Sequence, residues 1–409
     1  MITEKSMRKR ENRFLKGCVV LCVILILAVA AGLAGLFRGS VSTVKERTAS
    51  SAEQPVFQKV EIPAEEVAEK FYYSTLSEEE QQVYQAVLQG VRNNSETINV
   101  EMTDAKRVNQ IYEFVLNDFP DIFWCSGAAE TTAYQIPGGG YSEFCPEYTY
   151  EGEQKEQMQA QIEAEAEAIL GAADVSQIDP EYDRIRYVYE YVIRSVDYVE
   201  NASDSQNLYS ALVNKESVCA GYARETQYLL ERLGVFCTYV TGTTRGQPHA
   251  WNLVRCDGNY YYVDTTWGDP VFLQTDGGSI PEEQQIQYDY LCCSEQELFR
   301  THELDADVTF PSCTAVNDNY YVREGCYYQR FDQDRMQKQL NEEISSKEPV
   351  SVFKFSGQSA YEESRDRLMN GLIRDAASIL AQQNGLSSAR YSYQDDPVLC
   401  KITVYWQYE

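Results

Sequence analysis

KESVCAGYARETQYLLERLGVFCTYVTGTTRGQPHAWNLVRCDGNYYYVDTTWGD, residues 215–269, is the segment from which the architecture follows. Ser217 as an N-cap and Gly234 just past the end bracket a predicted helix over Val218–Leu233. The runs FCTYVTG, HAWNLVRC and NYYYVDTTW, rich in aromatic and β-branched residues, read as strands. Asp257-Gly258 between the last two is a strong hairpin signal. A two- or four-residue loop sets His249 opposite Thr266, or opposite Gly268 if the turn falls one residue later, and Asp264 then shares a face with His249. A three-residue loop would break that parity. With Ser217 as the cap, Cys219 is the second helical residue, in the first turn, where unpaired backbone N–H groups carry partial positive charge. A thiol is a strong nucleophile only as thiolate, and both a helix N-terminus and a neighbouring imidazole favour that form. In this arrangement His249 draws the proton from Cys219 and returns one to a leaving amine, while Asp264 fixes the imidazole tautomer. A small buried core residue is the commoner fate of a lone cysteine, so the His–Asp pair on the hairpin carries the chemical reading. Asp269, of opposite parity, is expected on the other face. His302, the second of only two histidines, follows the predicted helix EQELFR with no neighbouring acid pattern and reads as structural.

The run VCAGYA, then PHAWN some thirty residues on, then YYYVDTTWGDP resembles the three core blocks of the transglutaminase-like superfamily of papain-type thiol enzymes. The order Cys, His, Asp agrees. The resemblance is specific over residues 180–310 and extends more loosely through FPDIFW upstream and YDYLCCSEQELFRTH downstream, which look like membrane-bound bacterial members. It implies an α+β fold with a papain-like transglutaminase core, the cysteine on a central helix against an antiparallel sheet bearing the other two residues. It assigns Cys219 as nucleophile, His249 as general base and Asp264 as orienting acid. The family's second oxyanion donor, a side chain upstream of the cysteine, has no unambiguous match; Gln206 and Tyr209 are the candidates. Trp251 and Trp267 flank the triad in sequence and are candidates for lining the acyl site, although aromatics on strands more often belong to the core.

Beyond this segment, Gly17–Phe37 is 21 residues without a charge, which as a helix spans roughly 30 Å, one bilayer crossing. Lys5, Arg8, Lys9, Arg10, Arg13 and Lys16 precede it against only Glu4 and Glu11, so the positive-inside rule leaves the N-terminus cytoplasmic and exports everything after Phe37. A cleaved signal peptide, with small residues in 28–35, would export the same domain. The localisation expected is therefore the cell membrane, single-pass, with the catalytic domain extracytoplasmic. A net charge of −28 argues against nucleic acid and makes a cationic polypeptide the electrostatically favoured substrate, though solubility alone accounts for such a charge. Of 12 cysteines, nine remain after Cys18, Cys22 and Cys219, an odd number that leaves at least one thiol unpaired or bridged between chains. No zinc spacing, no calcium loop and no cofactor fingerprint is present, so no metal or cofactor is expected.

The expected organisation is a cytoplasmic tail at 1–16, the transmembrane helix at 17–37, a polar, Pro-bearing stalk at 38–76, an N-terminal α/β extension at 77–150, the catalytic domain at 151–310 and a separate small α+β domain at 311–409. A capping box at Ser77/Glu80 opens one helix, a second ends before Pro120, and an acidic helix covers Glu151–Gly171 with Met158, Ile162, Ala166 and Ile169 on one stripe. The function expected is thiol-dependent acyl transfer on protein or peptide amides: hydrolysis, Gln deamidation or Gln–Lys crosslinking, since all three pass through one thioester. The alternative is a non-catalytic surface binding module that retains the fold.

Overall fold

The structure is a computed structural model of the 409-residue chain and describes residues 42–48, 55–136, 139–172, 180–269, 286–383 and 389–408. The predicted tail and transmembrane helix lie outside the described residues. Among those described, no helix is long and apolar enough to cross a membrane. The chain divides into two compact units, Met1–Gln159 with Thr241–His249 and Glu303–Val308, and Ala160–Val240 with Ala250–His302 and Thr309–Glu409.

In the first unit, helices α1 (Glu78–Arg92) and α2 (Ala105–Asp118) accompany a four-stranded sheet of β1 (Thr43–Thr48), β2 (Ile98–Val100), β3 (Cys125–Ile136) and β4 (Gly139–Tyr148), in the order β1-β3-β4-β2. The capping box forms as expected, with the Ser77 N–H donating to Glu80 Oε2 at 2.9 Å, and Val83, Val87 and Val91 are buried along one face of α1. Asp104 caps α2 by accepting from the N–H groups of Lys106 and Arg107, both at 3.1 Å. The linker reading of 38–76 does not hold throughout. Residues 43–48 pair in parallel with β3, and Ala64–Val67 and Phe71–Ser74 are short helices with Val67 and Tyr72 buried. The cause is Asp118, whose carboxylate accepts from the Tyr72 N–H (3.1 Å), the Tyr73 N–H (2.9 Å) and the Tyr84 hydroxyl (2.8 Å). An isolated acid on another helix gives such a segment a fixed place although its own sequence has no period.

Helix α3 (Gly152–Ala172), at which the division of the units falls, buries the predicted Met158, Ile162, Ala166 and Ile169 stripe. The second unit then adds α4 (Glu181–Ser195), the parallel pair β5 (Asp197–Tyr198) and β6 (Glu216–Ser217), and α5 (Cys219–Arg232), which packs on α4. Strands β7 (Cys237–Thr244), β8 (Gln247–Cys256), β9 (Asn259–Val263) and β10 (His302–Leu304) make a sheet in the order β10-β7-β8-β9. The β8–β9 pairing, Asn252 with Val263 through Cys256 with Asn259, leaves a two-residue loop. Asp257 and Gly258 both have positive φ, 48° and 81°, the type I′ geometry that suits a right-twisted hairpin.

The C-terminal residues carry a third sheet, β11 (Tyr327–Tyr328), β12 (Val350–Phe355), β13 (Arg390–Asp396) and β14 (Lys401–Gln407), in the order β11-β12-β14-β13, with helices α6 (Gln333–Ser346), α7 (Gln358–Arg367) and α8 (Ile373–Gln383). Helices α7 and α8 are joined by a π turn at Leu368–Leu372. The composition is α+β as expected and Met336, Leu340, Phe353 and Leu380 share a core. Residues 309–409 fall in the same compact unit as α5 and β9. The buried Asp289 carboxylate binds Lys354 of β12 at 2.7 Å and Lys401 of β14.

Candidate active site

Cys219 is the first residue of α5, not the second, because the cap is Val218 in extended conformation and not Ser217. The Ser217 hydroxyl is committed elsewhere, donating to the Ser205 carbonyl at 2.6 Å. The correction leaves Cys219 in the first turn of a 14-residue helix, 2% exposed, where the helix's unpaired N–H groups lie. Gly221 is required there: a Cβ would overlap Ser217 Oγ and stand 3.1 Å from the Asn207 carbonyl. Val218, Ala220, Ala223, Tyr239 and Ala250 form the apolar bed of this turn, with Tyr198 packed on it. Burial pushes the Tyr198 phenol well up, and the charges of Cys219 and Asp264 add to the shift, so one phenol feels both groups. Burial likewise raises Tyr239, to about 12, with Arg224 opposing and Cys219 adding.

Asp264 directly follows β9 and caps the single turn Thr265–Gly268, its Oδ1 accepting from the Trp267 N–H at 3.0 Å. Its other oxygen, Oδ2, lies 3.0 Å from His302 Nε2. His302, read from the sequence as structural with no neighbouring acid pattern, thus has an acid partner in the fold. His302 Nδ1 in turn lies 2.8 Å from Thr301 Oγ1. The rings of Trp251 and Trp267 meet the His302 imidazole edge to face, each at 5.1 Å. Both indoles are interior, 1% and 4% exposed, and so belong to the wall around His302. Asp269 is 3% exposed and accepts from the Tyr222 hydroxyl at 3.0 Å, a tie to α5.

His249 lies on β8 and is 4% exposed. Strand alternation gives it the parity of Trp251 and Leu253; Tyr262 opposes Leu253, and Asp264, two residues on and still extended (φ −130°, ψ 100°), keeps that parity. Of the oxyanion candidates, Tyr209 donates its hydroxyl to Gln161 Oε1 at 2.6 Å. Gln206 is half-buried in a turn whose neighbour Ser205 accepts from the Val218 N–H at 3.0 Å, beside the start of α5. Metal-ligating side chains group around Asp264 and His302 and at Glu181, Cys256 and Asp257. In the first group the acid and imidazole hydrogen-bond each other directly; in the second Glu181 accepts from the Asp257 N–H at 2.8 Å. The ten described cysteines are all free thiols.

What sequence reasoning missed was His302, Tyr198 and Tyr239. His302 is 38 residues from Asp264, beyond the reach of strand or helix periodicity.

Residues 171–265 match the family model of the Transglutaminase-like superfamily, a span that contains Cys219, His249 and Asp264 but not His302. Kyphoscoliosis peptidase of Mus musculus is 25% identical over 103 residues, which are 21% of this chain; the chain spans only 16% of that relative's length. Among solved structures, a TGase crystal structure is 15% identical with a TM-score of 0.25, covering 46% of this chain and 54% of its own. A structure named as a cysteine protease of Cytophaga hutchinsonii is 14% identical with a TM-score of 0.24, covering 34% of this chain and 62% of its own. Residues 171–265 of this chain thus carry a transglutaminase-like superfamily domain.

Proposed function

We propose that the chain is a membrane-anchored, extracytoplasmic thiol enzyme that transfers the acyl group of protein or peptide amides, with Cys219 as nucleophile, His249 as general base and Asp264 as orienting acid. The observation that carries the reading is Cys219 at the first position of α5 within the residues that match the transglutaminase-like family. The parity shared by His249 and Asp264 along the two-residue hairpin supports it.

In this mechanism the Cys219 proton passes to His249, and the thiolate sulfur bonds to the amide carbonyl carbon. The carbonyl oxygen becomes an oxyanion, held by N–H groups of the first turn of α5, with Gln206 as a further donor. Collapse re-forms the C=O, breaks the C–N bond and sends the proton from His249 to the departing amine, leaving a thioester. Water then releases the acid, which is peptide hydrolysis if the amine was a peptide and deamidation if it was ammonia from glutamine; a lysine amine gives an isopeptide crosslink instead. Asp264 holds the imidazole tautomer and favours its charged form throughout. The acidity of the chain favours cationic polypeptides as substrates.

The test is mass spectrometry of Lys- and Gln-bearing peptides incubated with the full chain in membranes, scoring cleavage, deamidation and joining. We expect at least one of these, abolished by Cys219→Ala. An equally active Cys219→Ala protein would overturn the proposal. Topology is tested by adding protease to intact cells, which should remove the part after Phe37; full protection would refute export.

A further inference from the structure

We propose that His302 is a positioning residue for the acyl-transfer site, holding Asp264 in place from the side chain's second oxygen; this rests on the triad reading above. A carboxylate that is 1% exposed is costly unless donors surround it. Trp267 N–H supplies one donor, to Oδ1, and His302 Nε2 supplies another, to Oδ2. The tautomer follows from the network. For Nε2 to carry the proton in a neutral ring, Nδ1 must accept, and Thr301 Oγ1 at 2.8 Å is the group that gives to it. Thr301 Oγ1 is in turn 3.2 Å from the Tyr290 hydroxyl. The hydrogen-bonded series therefore runs Tyr290, Thr301, His302, Asp264, with the Leu298 carbonyl, 3.3 Å from Thr301 Oγ1, as a second acceptor for the Thr301 hydroxyl.

The ring cannot turn away from this role. Trp251, Trp267 and Tyr290 all meet it edge to face, at centroid distances of 5.1, 5.1 and 5.5 Å. The other titratable groups that face Asp264 are the phenols of Tyr189, Tyr198 and Tyr290 and the Cys293 thiol, all pushed up by burial first and by the Asp264 charge in addition. With these groups held neutral by burial, His302 is the side chain on this side of Asp264 that donates to it through a ring N–H. His302 lies beyond residues 171–265, which match the family model.

The experiment follows alkylation of Cys219 by iodoacetamide against pH in the full chain, peptide by peptide. It compares His302→Phe, which keeps an aromatic ring without the donor, His302→Gln, whose amide can donate from near the Nε2 position, and Thr301→Val, which removes the tautomer lock. Each is made with and without Asp264→Asn, and circular dichroism checks folding. We expect His302→Phe to slow alkylation at mildly acidic pH about tenfold, the worth of one hydrogen bond to a charged group. His302→Gln should restore most of the rate, Thr301→Val should shift the profile the same way by less, and none should move it further once Asp264 is Asn. A folded His302→Phe protein with an unshifted profile beside a shifted Asp264→Asn protein overturns this inference alone. An unshifted Asp264→Asn profile overturns the triad reading and this inference with it. If His302→Phe does not fold, an unshifted Thr301→Val profile overturns the inference.

Discussion

Glu225 shares α5 with Cys219, and both its carboxyl oxygens are buried without a hydrogen-bond partner among the described residues. Burial pushes its carboxyl up to about 7, the charge of Lys215 opposing and that of Glu165 adding. The sign of the linkage follows: below the ordinary value of 4.5 both folded and unfolded forms hold the proton, and between 4.5 and about 7 only the folded form does. Stability is therefore lost as pH rises through this window, by roughly 3 kcal/mol in all at 1.36 kcal/mol per unit. Glu225→Gln should remove that loss. The measurement is Tm against pH for both proteins: the curves should run together below the window and separate through it, with the variant higher. Parallel curves would show that Glu225 is not the protonated group. The acid is legible in ETQYLLE as a charge on the helix; its burial is not, because Glu231 and Glu225 look alike until the helix is packed on both sides.

At the scale of elements, legibility tracked how local the cause was. The two-residue loop at Asp257-Gly258 is fixed by backbone geometry that only such dipeptides adopt readily, so the strand register and the parity of His249 with Asp264 could be read before any tertiary contact. The capping box at Ser77/Glu80 is equally local. The start of α5 was misplaced by one residue because Ser217, a good cap by type, gives its hydroxyl to Ser205, twelve positions away. The short helices at Ala64–Val67 and Phe71–Ser74 were missed for the same reason, being held by Asp118 from α2. His302 escaped because its acid partner comes from β9's end, across a segment with no periodic signal. Local rules found the helix and the hairpin; side chains whose partners lie far along the chain needed the fold.

At the scale of the whole second unit, the question is whether residues 311–409 unfold with the domain that carries Cys219 or apart from it. The buried cluster at Asp289 argues that they unfold together. Asp289 accepts from Lys354, Lys401 and the Tyr321 hydroxyl, and its own side chain and that of Lys354 are each 1% exposed. Burial alone would raise its carboxyl, but the two ammonium groups and their hydrogen bonds outweigh it and hold it well below the usual carboxylate range. With the folded value depressed, the cluster stabilises the protein above the ordinary carboxylate value of 3.8 and its contribution is lost as pH falls below that. Asp289→Asn leaves two buried ammonium groups facing each other without an anion, a loss of about 3–5 kcal/mol. Because Asp289 belongs to the stretch before β10 and its partners to β12 and β14, the loss should fall on both halves at once. We expect one cooperative melt at lower temperature, with near-ultraviolet dichroism and protection of Cys256 and Cys400 from alkylation lost in the same transition. Lys401→Met added to Asp289→Asn should recover part of the stability by removing one unpaired charge. Two separate transitions, with Cys400 exposed while Cys256 stays protected, would instead mean that the C-terminal sheet is an independent domain and that the cluster only touches it.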